Sequence, residues 1–138
     1  MKGQSLIELL IAAGIFVMTV SVVASLLIDG YISNLQASQN SQAFFLTEEG
    51  LEAVRSIRDN NWNDLTSGSH GISISQNQWI FQGEEENISD KLPEGVRKVI
   101  VESIGVDRKK VTSQVTWKIP PAKSTKIELV TYFTNWQK

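Results

Sequence analysis

The carboxylate of Glu8 is the one ionisable group in an otherwise uncharged, mostly apolar run from Leu6 to Ile28. A bilayer core needs roughly 20 apolar residues in a helix, and Leu9–Ile28 supplies that length without a charge. A charge close to hydrocarbon is expensive, so Glu8 is expected to pair with a cation. The alternative is that Glu8 only reaches the membrane interface, where a charge near a helix end costs little.

Elsewhere the chain offers little for catalysis or metal binding. His70 lies in TSGSHG, predicted to be a loop, and the chain has no cysteines, so a zinc site or a thiol nucleophile is not expected. GEEEN (83–87) lacks the alternating oxygen ligands of a calcium loop and is predicted to be a solvated acidic loop. Asn87-Ile88-Ser89 matches a glycosylation sequon, which is too short to be specific. We predict no cofactor, no metal and no enzymatic activity.

The composition limits the remaining classes. With 138 residues and 13 basic against 15 acidic side chains, the chain has the size of one domain and no basic footprint for direct nucleic-acid binding. Beyond the apolar run a modest core remains, which must rely on sheet pairing and packing because disulfides are excluded.

Three interpretations of the amino terminus compete. A cleaved secretory signal has an apolar region of about 7–15 residues followed by a small-residue cleavage site, but here the run is longer and the nearest candidate site, Val23-Ala24-Ser25, lies inside it. A plain signal anchor fits the length and leaves Glu8 unexplained. The third interpretation is a processing site at Gly3-Gln4 with Glu8 as an assembly group. In either of the latter two, Lys2 favours a cytoplasmic amino terminus.

The stretch KGQSLIELL (2–10) resembles the amino terminus of type IV prepilins and type II secretion pseudopilins. The resemblance implies a leader at residues 1–3, cleavage by prepilin peptidase between Gly3 and Gln4, N-methylation of Gln4 and a filament-assembly role for Glu8. The new α-amine of one subunit would then meet Glu8 of another. Two features depart from the family pattern: phenylalanine is common where Gln4 stands, and no proline precedes Pro93.

Residues 4–28 are predicted to form the transmembrane and polymerisation half of a long helix, and residues 29–62 its amphipathic second half. A helix from Gln4 to about Asp59 would be roughly 84 Å long, which exceeds the bilayer. Its second half carries a stripe at three- and four-residue steps. The stripe comprises Ala43, Leu46, Gly50, Ala53, Val54 and Ile57, widened by Phe44 and Leu51. EEGLEAVRSIRDNNW (48–62) is similar to minor pilins of the PilV or GspI type.

Residues 63–138 are predicted to form an extracytoplasmic antiparallel β-sheet domain. A short hairpin pairs residues 71–74 with 78–81, followed by an acidic loop, GEEENISDKLPEG (83–95). Longer strands are predicted at Val96–Ile104, Val111–Ile119 and Ile127–Trp136, with PPAKS (120–124) as the last turn. The predicted fold is α+β and pilin-like, with one long amino-terminal helix packed against a sheet of four or five sequentially paired strands.

The sequence thus favours a structural subunit, with the resemblance tilting toward a minor one, of a type IV pilus or a type II secretion-like pseudopilus. The resemblance implies other pilin or pseudopilin subunits, prepilin peptidase and the inner-membrane assembly machinery as partners. The bilayer would hold the chain before assembly, as a single-pass protein with its carboxy-terminal domain outside the cytoplasm. The alternative is a monomeric membrane-anchored domain that binds a partner through its sheet.

Overall fold

The computed structural model describes residues 2–119 and 123–136, and the side chains of all of these except residues 2–4 and 123. Within them, helix α1 (Lys2–Asn60) and a 3-10 turn (Trp62–Asp64) precede the strands β1 (Gly68–His70), β2 (Ile72–Ser75), β3 (Gln78–Phe81), β4 (Glu86–Asn87), β5 (Val96–Ser103), β6 (Arg108–Ile119) and β7 (Lys123–Thr134). The chain divides into two compact units, Met1–Ser38 and Gln39–Lys138. We call the first the amino-terminal unit and the second the head unit, and describe each by itself.

The head-unit part of α1 forms because its apolar residues recur on one face, which the sheet then covers. The predicted stripe is confirmed for its main members, which are buried: Ala43, Leu46, Gly50, Ala53, Val54 and Ile57. Phe44 is 40% exposed and lies outside the stripe. The helix ends at Asn60, and the Asn61 side chain caps the next turn by accepting a hydrogen bond from the Asn63 N–H at 3.1 Å.

The head unit confirms the predicted α+β class, with a helix packed on a five-stranded antiparallel sheet of order β1-β5-β6-β7 in which β4 also pairs with β5. The sequential pairing predicted for the three long strands is correct for β5, β6 and β7. It is wrong for the sheet as a whole, because β1 pairs with β5 across the intervening hairpin. β6 begins at Arg108 and β7 at Lys123, three and four residues earlier than predicted, and β7 ends at Thr134 instead of Trp136.

Two short strands occupy segments predicted to be loops. His70 lies in β1 opposite Val99, and Glu86 in the acidic segment lies in β4 opposite Arg97. Strands of two or three residues are too short for an alternating pattern to reveal them. The predicted turn at residues 120–124 lies outside the described residues for Pro120, Pro121 and Ala122, and its last two residues belong to β7.

The predicted hairpin is confirmed as a separate two-stranded sheet of β2 and β3, in which Ser75 pairs with Gln78. Its two loop residues, Gln76 and Asn77, have φ values of 50° and 62°. Two consecutive positive φ angles are typical of a type I′ turn, which matches the twist of the flanking strands. Asn tolerates this conformation, whereas Gln76 is strained in it.

Replacing Gln76 with glycine should therefore stabilise the head unit by up to about 1 kcal/mol, because glycine adopts positive φ without the Cβ penalty. The measurement is the urea midpoint of the full chain in detergent micelles, followed by tryptophan fluorescence. As the opposing control, Asn77→Ala should lower the midpoint. A lower midpoint for Gln76→Gly would contradict the turn assignment.

Between helix and sheet lie two groups of buried apolar side chains. One joins α1 through Ala53 and Val54 to Val99, Val111 and Phe133. The other joins α1 through Ala43 and Leu46 to residues that include Val115, Trp117, Ile88 and Leu92. Between them the helix approaches the sheet closely, since a Cβ at Gly50 would overlap Ser113 Oγ and lie 3.3 Å from Ser113 Cβ. Position 50 therefore requires glycine, because α1 and β6 approach too closely here to leave room for a side chain.

Candidate functional site

In the amino-terminal unit, α1 is long and apolar enough to cross a membrane. Its large apolar side chains from Leu6 to Ile28 are all exposed, so they cover the whole circumference of the helix. A helix that is apolar on every side is suited to a lipid or helix-bundle environment. The change to a polar composition at Asp29 precedes the division between the two units, which falls after Ser38.

The hydroxyl groups in this run are satisfied within the helix. Thr19, Ser21 and Ser25 each donate to the backbone carbonyl four residues earlier, at 2.9, 2.8 and 3.1 Å. Such bonds leave no unpaired hydroxyl donor to be dehydrated in lipid. The segment is thus compatible with a membrane despite its polar residues.

Glu8 is exposed on this helix, in its second turn. Among the described side chains, no ion pair or hydrogen bond involves Glu8, so no cation within that part of the chain neutralises it. Gly3 and Gln4 have helical backbone, while the side chain of Gln4 is not among the described ones. The predicted cleavage and methylation there stay predictions.

The head unit contains a buried ionic cluster that the sequence did not reveal. Arg97, on the helix-facing side of β5, is only 2% exposed. Its Nε and Nη2 donate to the two carboxylate oxygens of Glu86 at 2.8 and 3.0 Å, and its Nη1 donates to Glu49 Oε2 at 2.7 Å and to the Leu46 carbonyl at 3.0 Å. One guanidinium therefore joins β5, β4 and α1, with the bidentate geometry that favours arginine.

Beside this cluster lies an open cleft of about 610 Å³. One wall is apolar and comes from β2 and β3, through Ile72, Ile74 and Trp79, and the other carries Glu49 and Glu86. Arg97 already pairs with both of these carboxylates, and Lys91 is a second cation on the lining of the cleft. The cleft thus lies between the hairpin and α1, beside a cluster whose charges pair with one another.

His70 is placed by packing and by one backbone contact. Its ring stacks on Phe81 with centroids 4.3 Å apart, and its Nε2 lies 2.9 Å from the Thr66 carbonyl. No group of three metal-ligating side chains occurs in the described ranges 2–119 and 123–136. The histidine thus ties the segment after α1 to the hairpin.

Two lysines of β6 have perturbed pKa values. Partial burial lowers the pKa of Lys109, whose ammonium donates to the Leu65 carbonyl and lies 5.0 Å from the Trp62 ring centroid. On the opposite face, the hydrogen bond from Lys110 to Glu102 raises the pKa of Lys110. In both cases the ammonium group is held by contacts within the head unit.

No family model, curated protein or solved structure matches the chain.

Proposed function

We propose that this chain is a structural subunit of a type IV pilus or a type II secretion-like pseudopilus, processed after Gly3 and assembled through its amino-terminal helix. The observation that carries this proposal is Glu8, a carboxylate in an apolar helix for which the described residues supply no cation. Removal of residues 1–3 would create a positive α-amine at Gln4. An amine from a neighbouring subunit would neutralise Glu8 only after docking, so the pairing would favour correct assembly.

The helix also supports the proposal through its two kinds of surface. Its apolar part can rest in a bilayer before assembly and pack against other helices afterwards. In the head unit, one face of the same helix is apolar and is buried beneath the sheet. Lys2 favours an amino terminus in the cytoplasm and a head unit on the other side of a single membrane span.

A second candidate is a monomeric membrane-anchored binding domain. The observation that favours it is the open cleft of about 610 Å³ between the hairpin and α1. A monomeric binding domain needs neither cleavage after Gly3 nor a partner for Glu8. Both requirements therefore distinguish the filament subunit from the monomeric domain.

Mass spectrometry of the chain extracted from membranes, in cells with an active prepilin peptidase, is expected to show a mature protein that begins at Gln4. A Gly3→Leu variant should remain uncleaved, because a bulky side chain replaces the last leader residue. Methylation would appear in the same spectrum as an added mass on Gln4. An intact amino terminus in both proteins would favour the monomeric anchor.

A further inference from the structure

β7 has one paired side and one unpaired side. It pairs with β6 in a continuous register from Arg108↔Thr134 to Ile119↔Lys123, without a bulge. Within residues 2–119 and 123–136, no strand pairs with its other side. Natural edge strands are usually short, bulged or interrupted by proline, and β7 has 12 residues with none of these features. Of its two lysines, Lys123 and Lys126, the second pairs with Glu128 at 3.0 Å.

The hydrogen-bonding groups on the free side can be assigned by residue. The Asn135 N–H donates to the Asp107 carbonyl at 2.9 Å, which continues the β6–β7 register. In an antiparallel pair the residues alternate between facing the partner and facing away from it. Odd-numbered positions of β7 therefore face β6. The groups that face outward belong to the even positions, whose side chains are also exposed: Ser124, Lys126, Glu128, Val130, Tyr132 and Thr134.

A groove runs beside this edge, on the helix-facing side of the sheet. It has a volume of about 270 Å³ and is lined by Glu48, Leu51, Glu52, Arg55, Leu129 and Thr131. Arg55 is paired with Glu52 at 2.7 Å, so Glu48 leaves the groove with a net negative charge. A strand added next to β7 would direct alternate side chains into the groove. The best fit is a side chain with an aliphatic stem and a positive end.

The opposite side of the head unit cannot supply such a strand. The strands there, β1 to β4, have two to four residues each. Segment 82–85 also lies against β1, since the Gly71 N–H donates to the Gly83 carbonyl at 3.0 Å and Ser69 Oγ donates to the Glu84 carbonyl at 3.1 Å. A second copy placed side by side would thus offer no strand to match β7. Antiparallel β7–β7 pairing would turn one head by 180°, which a filament of subunits leaving one membrane does not allow.

We propose that the free edge of β7 binds an extended strand from a different kind of subunit in the same filament. The strand adds to the sheet through the outward backbone groups of β7 and places a basic side chain over the groove beside Glu48. This inference rests on the proposed function, because the exclusion of β7–β7 pairing depends on it. A head unit that accepts a strand on one side and offers none on the other also fits a minor subunit.

Proline at an outward position tests the edge without breaking the pairing to β6, since only the free N–H is lost. In cells with the assembly machinery, Val130→Pro should reduce the amount of full-length chain in sheared filaments at least about tenfold relative to Val130→Ala, the loss expected when a hydrogen bond is removed and its acceptor is left unpaired. Urea unfolding must show that both variants fold. Equal incorporation of the two folded variants would overturn the proposal.

Hydrogen exchange of the unsubstituted chain gives an independent readout, which also applies if Val130→Pro does not fold. The amides of Lys126, Glu128, Val130 and Tyr132 should exchange rapidly in purified chain and slowly in filaments, or in native membranes if the chain does not enter filaments. Odd-numbered amides of β7 should be protected in both. Unprotected even amides in filaments or membranes overturn the proposal, while cleavage after Gly3 tests the subunit function separately.

The identity of the covering strand is tested with a single cysteine, because the chain has none of its own. Under oxidation, a Lys126→Cys variant is expected to form no disulfide-linked homodimer. Efficient homodimer formation would show that a second copy covers the edge, and it would overturn the assignment to a different subunit.

Discussion

Replacing Glu8 with alanine is expected to leave membrane insertion intact and to reduce incorporation into filaments at least about tenfold. The variant removes a charge from the apolar run, so insertion should be as favourable as before or more so. In the filament it would leave the neighbouring α-amine without a counter-ion in a low-dielectric setting. An uncompensated buried charge costs about 3–5 kcal/mol, and each 1.4 kcal/mol corresponds to a factor of ten.

Two variants make this result specific. Glu8→Gln keeps the shape of the side chain without its charge and should fail as Glu8→Ala does. Asp29→Asn removes the carboxylate at the other end of the apolar run and should be incorporated normally. Insertion is measured by resistance to carbonate extraction, and incorporation by immunoblot of sheared filaments. Normal incorporation of Glu8→Ala would remove the assembly role proposed for Glu8.

Much of the fold follows from local patterns in the sequence. The apolar run and the stripe after it predict a long helix, and the structure places both in α1. The hairpin is predictable because Gln76-Asn77 separates two short apolar segments. The three long strands alternate over enough residues to be recognised, although their ends move when β6 and β7 pair along their full length.

The short strands could not be predicted, because β1 and β4 exist through their partner β5 and carry no pattern of their own. Arg97 was missed for a related reason. In VRKVIVES the alternation places Arg97 on the same face as Val99 and Val101, yet basic residues occur on both faces. Only the contact partners, Glu49 and Glu86, distant in sequence, distinguish a buried guanidinium from a solvated one.

The candidate site was also only partly predictable from the sequence. The sequence indicates that Glu8 needs a cation, and the described residues do not provide one within the chain. If the partner of Glu8 belongs to another molecule, as proposed, the contacts within a single chain would not reveal it. The edge of β7 is similar, since the strand proposed to cover it would come from another molecule.

Arg97→Ala is expected to destabilise the head unit by about 3 kcal/mol, at the lower end of the range for breaking a buried ion pair. The loss is large because one side chain holds β4, β5 and α1 together through four hydrogen bonds. It stays at the lower end because the side chains left behind, Glu86 and Glu49, are 25% and 41% exposed and can regain water. Urea unfolding in micelles, followed by tryptophan fluorescence to which the buried Trp117 contributes, measures the change.

The matched control is Arg55→Ala, which breaks the exposed pair with Glu52 and should cost less than about 1 kcal/mol. Arg97→Met separates the role of charge from the role of volume, because methionine can fill the space of the arginine stem without hydrogen bonding. If the ionic contacts hold β4 in place, Arg97→Met should still expose Asn87 and Glu86 to faster hydrogen exchange. Well-packed apolar residues can replace a buried ion pair without loss of stability. If Arg97→Met has the same free energy of unfolding and the same hydrogen exchange as the unsubstituted chain, packing alone therefore holds β4 in this part of the head unit.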